Sequence, residues 1–272
     1  IFMLNLGIRG AAIATVLSQC LSAGFVLYFL SKKAEYKVRL LYKEEIRTCG
    51  KDAKNIVSLG TAGFVMQLTN SLVSICCNNV LSATGGDVYV SVMTIISSVR
   101  QMIETPIWSI SEGSSPVISY NYGAKRPKKV IEAWITMSVL ALIYSLIAWS
   151  VILFAPKFLI GIFSSDKSLM IDTVPAMKLY FSAFIFMLFQ YTGQTMFKSL
   201  NKKKQAIFFS ILRKVIIVVP MTYMFPYVFH MGSNGVFMAE PVSNVIGGSL
   251  CFIVMLLTVL PELKQMNSDL SS

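Results

Sequence analysis

The sequence predicts an all-α fold, a polytopic bundle of helices that crosses a membrane several times. Of its 272 residues, 55% are hydrophobic and only 14% are charged, and the mean hydropathy is +0.66. A soluble domain carries roughly 25% charged residues. The apolar stretches are long enough to cross a bilayer as helices and show no period-two alternation, so the sequence excludes a β-barrel.

Seven apolar segments predict seven transmembrane helices, because about 20 apolar residues span a bilayer as a helix. They cover residues 10–30, 55–83, 88–119, 130–155, 173–200, 205–229 and 235–260. Proline and glycine within these segments predict kinks. A membrane bundle tolerates such kinks where neighbouring helices satisfy the freed backbone groups.

The basic residues predict the orientation of the bundle. Nineteen of the 24 Lys and Arg residues fall at 31–54, 123–129 and 198–214 and in the C-terminal tail. By the positive-inside rule these segments, and with them the C-terminus, are cytoplasmic. Topology and contact with anionic membrane lipids therefore explain the net charge of +11, and no nucleic-acid partner is predicted.

Outside the spans, few residues could carry chemistry. The five cysteines form no CxxC pair, and His230 is the single histidine. The sequence shows no nucleophile–base pair, no phosphate-binding loop and no metal-ligand cluster. It therefore predicts no enzyme, no metal site and no cofactor.

A short internal repeat predicts the domain organisation. Residues 7–19 align without gaps to residues 232–244 and share two glycines, an alanine, a serine and an amide side chain, at a constant offset of 225. A repeat of that length holds six helices, and transporters are often built from two such repeats. The predicted divisions are the last helix of a truncated first lobe (1–31), a cytoplasmic interlobe linker (32–54), a complete six-helix second lobe (55–261) and a cytoplasmic tail (262–272).

Polar side chains recur at helical spacing inside the apolar segments, where such residues point to a neighbouring helix or a cavity. Arg100 and Glu104 lie one turn apart in the middle of the third segment. Ionisable groups at that depth cost roughly 2.5 kcal/mol or more each, so they predict a functional site. The candidate cavity residues are Gln67, Asn70, Arg100, Gln101, Glu104, Gln190, Gln194 and Glu240.

Other interpretations of these residues stay open. A face of Ser, Asn and Gln can join helices through hydrogen bonds of roughly 0.6–2 kcal/mol each. Arg100 and Glu104 can form a structural pair in place of a transport site. Glu104 is expected to be the only deep carboxylate, with Glu240 a turn or so inside the outer surface. Arg213 and Lys214 are expected to extend toward the cytoplasm.

Four motifs give the sequence a resemblance to a known family. They are a Gly/Ala-rich segment at 7–19, a segment ending in Asn-Tyr-Gly-Ala-Lys at 113–125, a Leu-Asn-Lys-Lys-Lys segment at 200–213, and a Gly-x-x-Gly segment at 232–241. The whole sequence resembles the multidrug and toxic compound extrusion (MATE) family. The resemblance implies a secondary active transporter of the plasma membrane. It would export drugs or other small organic, often cationic, compounds against a Na⁺ or H⁺ gradient, by alternating access between this lobe and a missing N-terminal lobe.

The sequence departs from the family pattern at one place. Members with a cation site in the second lobe carry an acidic residue in the second span here and another in the fifth. This sequence has Gln67 at the first position and no carboxylate between Lys178 and Leu200. Glu104 is therefore expected to carry the ion chemistry, with Gln67 and Asn70 as neutral contacts. Alternatively, the coupling site lies in the first lobe, outside this sequence.

The alternative function is that of a flippase of the same superfamily, which moves a lipid-linked saccharide. Such a substrate carries phosphates, so several cavity-facing Arg or Lys residues are expected for it. Only Arg100 is expected to be deep, and it has Glu104 as a partner. Export is therefore favoured, while the substrate, the coupling ion and the oligomeric state are left open.

Overall fold

The computed structural model describes residues 7–33, 50–164 and 166–269. The chain divides into two compact units, Ile1–Val57 and Ser58–Ser272. In the first unit, α1 (Gly7–Tyr28) continues into a π-helical turn, Phe29–Lys33, and matches the predicted span at 10–30. Much of the predicted linker (34–49) and the end of the predicted tail (270–272) lie outside the described residues, so the division into lobes, linker and tail stays a prediction.

The long helix α2 (Gly50–Gly123) is broken at one residue. Gly86 has φ 68° and ψ −167°, a backbone conformation that favours glycine, and the helix changes direction there. We call its two arms α2a (50–85) and α2b (87–123). The predicted second and third spans, 55–83 and 88–119, fall on these arms, and the gap between them falls at the break.

The next four helices are separated by short turns. They are α3 (Pro127–Phe154), α4 (Pro156–Phe163), α5 (Lys167–Tyr180) and α6 (Phe186–Ser199). α3 and α4 each begin with proline, whose fixed φ and missing N–H suit the first position of a helix. The Asp166 side chain caps α5 by accepting a hydrogen bond of 2.8 Å from the backbone N–H of Ser168.

The predicted fifth span, 173–200, is interrupted between α5 and α6. Around the interruption, backbone N–H groups bond three residues back, as from Phe184 to Phe181 (3.1 Å) and from Met187 to Phe184 (3.0 Å). The Phe181 carbonyl also accepts a hydrogen bond of 3.0 Å from the indole N–H of Trp149 on α3. The chain thus tightens into i→i−3 turns, and a neighbouring helix satisfies part of the interrupted backbone.

The last two helices each contain a π-helical turn. α7 covers Lys203–Ile211, the turn Leu212–Val218 and Val219–Tyr227. α8 covers Ser233–Ser243, the turn Asn244–Gly248 and Ser249–Asp269. π-helical turns inside α-helices often mark functional sites, because they re-aim the side chains that follow.

Every element in the described residues is helical, which confirms the all-α prediction. Five helices in this part of the chain are long and apolar enough to cross a membrane: Ala12–Lys33, Gln67–Gly123, Pro127–Phe154, Lys203–Tyr227 and Ser233–Ser268. The 57 residues of the second hold roughly 85 Å of helix, enough for two crossings of a bilayer core of roughly 30 Å. The count of seven crossings stays a prediction.

Small residues let α6 and α8 pack closely. A Cβ atom at Gly248 would lie 2.5 Å from the backbone oxygen of Phe186, and one at Gly193 would lie 3.1 Å from the Cys251 sulfur. Close helix approach through glycine is a common device in membrane bundles, where van der Waals packing replaces the hydrophobic effect between helices. This contact holds α6 beside the middle of α8, where its π-helical turn ends.

We expect Gly248→Ala to destabilise the protein by about 1–3 kcal/mol, because the added methyl group must displace backbone. The melting temperature of the purified full-length protein in detergent measures this. Gly113→Ala is the matched control, since a Cβ there meets nothing within 4 Å. Alanine favours a helix over glycine by about 1 kcal/mol, so the control should melt at the same or a higher temperature. Equal melting temperatures for the two variants would contradict the close contact.

Candidate functional site

The second unit contains a cluster of charged side chains in its interior. α2b contributes Arg100 and Glu104, the π-helical turn of α7 contributes Arg213 and Lys214, and α8 contributes Glu240. We call these five residues the ionic centre. Three of them are cations and two are carboxylates, so the centre carries one surplus positive charge.

Glu240 is the residue on which the three cations converge. Its Oε1 atom lies 2.9 Å from Lys214 Nζ, 3.1 Å from Arg213 Nη2 and 3.9 Å from Arg100 Nη1. Only 5% of Glu240 is exposed. The expectation that it lies near outer water is therefore wrong, as is the expectation that Glu104 is the only deep carboxylate.

Arg213 and Lys214 are buried as well, each with 7% of its surface exposed. The expectation that they extend to the cytoplasm is wrong, because Lys214 lies eleven residues, or roughly 16 Å of helix, beyond the Lys203 end of α7. A pairing within the bundle is within reach of both side chains, whereas the Lys203 end of α7 is not. Arg213 and Lys214 are consecutive basic residues well inside an apolar segment. This pattern could have been used to predict a buried carboxylate partner.

The backbone of α7 and α8 is shaped around Arg213. The wider π-helical turn lets consecutive side chains diverge less than in an α-helix, so Arg213 and Lys214 both reach Glu240. A Cβ atom at Gly247 would lie 2.8 Å from Arg213 Cγ, so glycine leaves the room that the arginine stem occupies. Arg213 Nη1 also donates a hydrogen bond of 2.6 Å to Asn244 Oδ1, at the start of the π-helical turn of α8.

Arg100 lies between the two carboxylates of the centre. Its Nε atom is 3.7 Å from Glu104 Oε1, which confirms the pair predicted from the i,i+4 spacing, and its Nη1 atom is 3.9 Å from Glu240 Oε1. The Tyr191 hydroxyl of α6 donates a hydrogen bond of 3.3 Å to Glu104 Oε2. The centre thereby connects α2b, α6, α7 and α8 through contacts of charged groups.

Two small cavities flank the ionic centre. The first has a volume of about 60 Å³ and is lined by residues that include Asn70, Gln190, Gln194, Ser210, Arg213 and Lys214. The second, of about 40 Å³, lies on the Arg100 and Glu240 side. Asn70 and Lys214 line both cavities, and Asn70 is exposed, so the cavities reach the surface of the described unit.

The structure brings most of the predicted cavity residues to this centre and its cavities. They are Asn70, Arg100, Glu104, Gln190, Gln194 and Glu240. Gln194 Nε2 donates a hydrogen bond of 2.8 Å to Ser210 Oγ. Gln67 and Gln101 are exposed and do not line either cavity. A part in substrate binding stays a prediction for all of them.

The chemistry of the centre is that of ion pairing and hydrogen bonding. Over the part of the chain that the structure describes, no group of three or more His, Cys, Asp or Glu side chains is placed to hold a metal ion. The centre can bind ions or the charged group of a substrate, and its partners can exchange when one carboxylate is neutralised.

We expect Glu240→Gln to be strongly destabilising, because it leaves the buried Arg213 and Lys214 without their carboxylate partner. Removing one partner of a buried ion pair costs about 3–5 kcal/mol, which lowers the melting temperature by roughly 6 °C or more. The control is Glu112→Gln: this carboxylate pairs with Lys198 at 2.9 Å, but 38% of its side chain is exposed. A surface pair contributes about 0–1 kcal/mol. Similar losses in both variants would show that the Glu240 contacts carry no special weight.

Comparisons with known proteins give the family. The MatE family model matches residues 63–224. The chain is 24% identical over 172 residues to the multidrug export protein MepA of Staphylococcus haemolyticus, covering 63% of this chain and 37% of that protein. It is 25% identical over 165 residues to the probable multidrug resistance protein NorM of Thermotoga maritima, covering 61% of this chain and 35% of that protein.

A solved structure shares the fold. It is described as the outward-facing conformation of a multidrug resistance MATE family transporter of the MOP superfamily, with a TM-score of 0.82 and 21% identity. The match covers 98% of this chain and 59% of the solved chain. The matches to the two curated relatives, MepA and NorM, cover little more than a third of each protein. Because the family model matches more than half of the chain, the chain belongs to the MatE family.

Proposed function

We propose that the protein carrying this chain is a secondary active transporter that exports drugs or other small organic compounds from the cell. The observation that carries the proposal is the ionic centre, five charged side chains inside an apolar helical unit. Charged groups at membrane depth are costly, and a bundle without a transport role has no need of them. Membership of the MatE family and the names of its relatives support the same function.

Coupling to Na⁺ or H⁺ entry is assigned to Glu104. Its carboxylate contacts Arg100 at 3.7 Å and Tyr191 at 3.3 Å, and 18% of its side chain is exposed. Glu240 is less accessible, because 6% of its side chain is exposed and one oxygen is shared by three cations. An incoming cation or proton therefore reaches Glu104 more easily.

Arg100 offers a way to convert ion binding into movement. It lies at nearly equal distances from Glu104 and Glu240, 3.7 and 3.9 Å. When a cation or proton neutralises Glu104, the attraction of Arg100 to Glu240 remains and pulls α2b toward α8. Such a two-state element is what alternating access requires.

The remaining parts of the proposal concern the whole protein. Its partners are an organic substrate, the membrane lipids and the N-terminal lobe, and its C-terminus is cytoplasmic. The second lobe by itself is not expected to transport, because half of the cavity and one of the two moving bodies are absent.

A second candidate function is favoured by one observation. The unit holds three cations near cavities, the buried Arg213 and Lys214 and the partly buried Arg100, where the sequence predicts only Arg100. A flippase for a lipid-linked saccharide needs such groups to meet the phosphates of its substrate. Both carboxylates of the centre are already paired with these cations, so the surplus is a single charge, and export remains the first candidate.

We expect Glu104→Gln to abolish gradient-driven export, because a neutral amide takes up no proton and brings no negative charge to hold Na⁺. Accumulation of ethidium or norfloxacin in cells that express the full-length protein, with and without an ionophore, measures this. Export should fall to the level of cells without the protein, while the Glu112→Gln control should export normally. Normal, ionophore-sensitive export by Glu104→Gln would refute the assignment of Glu104.

The same cells also test the two functions against each other. If the wild-type protein leaves drug accumulation unchanged and moves a fluorescent lipid-linked saccharide across vesicle membranes, the flippase replaces the exporter. Drug export without lipid movement supports the first candidate.

A further inference from the structure

The cavity of about 60 Å³ between α2a, α6 and α7 is lined by positively charged side chains. Among the described residues that line it, Arg213 and Lys214 are cationic and none is acidic. Both cations are 7% exposed, and the neutral residues Gln194 and Ser210, 5% exposed each, lie beside them. The wall of this cavity is therefore positive and polar in an otherwise apolar unit.

The ionic centre does not cancel this charge. Arg213 and Lys214 share the Oε1 atom of Glu240 with Arg100, and Arg100 shares the second carboxylate, that of Glu104. A buried charge without a counter-charge is costly, and the mutual repulsion of the three cations adds to that cost. An anion that enters the cavity beside Arg213 and Lys214 would lower the free energy of the folded protein.

A second observation points to a hydrogen-bond donor inside the cavity. Gln190 is 5% exposed and lines the cavity, and its Oε1 atom accepts no hydrogen bond from the described residues. Buried polar atoms nearly always have a partner, so a donor in the cavity is indicated. A water molecule needs roughly 10–15 Å³. A cavity of about 60 Å³ therefore has room for a small anion together with a water that donates to Gln190.

We propose that this cavity binds a small monovalent anion, a halide ion or the carboxylate group of an organic molecule, with Arg213 and Lys214 as its charge partners. The surplus of one positive charge matches a single negative charge and not the higher charge of a phosphate. If the anion is a carboxylate of the transported compound, the site assigns carboxylate-bearing compounds as a substrate class, and that clause rests on the proposed export function.

Anion binding is measured without transport, as the melting temperature of the purified full-length protein in detergent. Sodium chloride or sodium acetate is added in steps to about 100 mM. It replaces the sodium salt of a sulfonate buffer whose anion is too large for the cavity, so that the ionic strength stays constant. We expect a saturable rise of roughly 2–4 °C, since a ligand that binds only the folded state stabilises it. If only chloride raises the melting temperature, the site binds a halide ion. If only acetate raises it, the site binds a carboxylate, and if both do, the site accepts either.

Substitutions at Lys214 separate binding from a structural role. Lys214→Met leaves two cations and two carboxylates in the ionic centre. We therefore expect it to need an anion concentration at least about tenfold higher for the same rise in melting temperature. Without added anions it should melt no lower than wild type. Lys214→Arg should restore the effect. Lys204→Met, at an exposed lysine of the same helix, should leave it unchanged.

Three results would overturn the proposal. The first is a melting temperature of the wild-type protein that neither salt raises. The second is a rise in Lys214→Met equal to that in wild type. The third is a melting temperature of Lys214→Met that lies below that of wild type by the same amount in every buffer. Its failure is distinguishable from that of the proposed function. Export without an anion effect contradicts only this inference, and an anion effect without export contradicts only the transport function.

Discussion

One oxygen atom of Glu240 determines how the second unit is put together. Three cations lie within 3.9 Å of it, two from α7 and one from α2b, while Glu240 itself belongs to α8. Breaking one of these buried pairs would leave a charge without its partner, so the helices must keep the distances that the ion pairs require. The π-helical turn Leu212–Val218 carries Arg213 and Lys214, and the turn Asn244–Gly248 begins with Asn244, which accepts a hydrogen bond from Arg213.

The ion pairs around Glu240 also allow the helices of the unit to rearrange. Arg100 contacts both carboxylates at nearly the same distance, and Tyr191 holds Glu104 from the side of α6. A change in the charge of either carboxylate therefore alters the balance among four helices. At Gly248, α6 and α8 are in contact through backbone atoms and not through flexible side chains.

Hydropathy was sufficient to predict that the long apolar segments are helical, because each span requires about 20 apolar residues. It did not predict the short helix α4, which lies between two predicted spans. The gap predicted between the second and third spans falls on the break at Gly86, where the backbone needs glycine. The interruption between α5 and α6 was not predictable, because it depends on Trp149 of another helix donating to the Phe181 carbonyl.

The ionic centre was predictable only in part. Arg100, Glu104, Gln190 and Gln194 were found because polar residues in the middle of an apolar segment have few alternatives to the bundle interior. Arg213 and Lys214 were counted with the lysines of 198–204, which the sequence predicts to be cytoplasmic, since charge counting takes no account of depth along a helix. Gln67 and Gln101 share the helical spacing of cavity residues, but the faces that carry them are exposed.

The most direct test of the charge balance is the melting temperature of the double variant Glu240→Gln/Lys214→Met beside its two single variants. The double variant keeps the surplus of one positive charge that wild type has, whereas Glu240→Gln alone has a surplus of two. If the ionic centre is held by charge balance around Glu240, removing Lys214 restores much of the stability lost with the carboxylate. Losses that simply add would contradict it, because independent side chains behave additively and coupled ones do not.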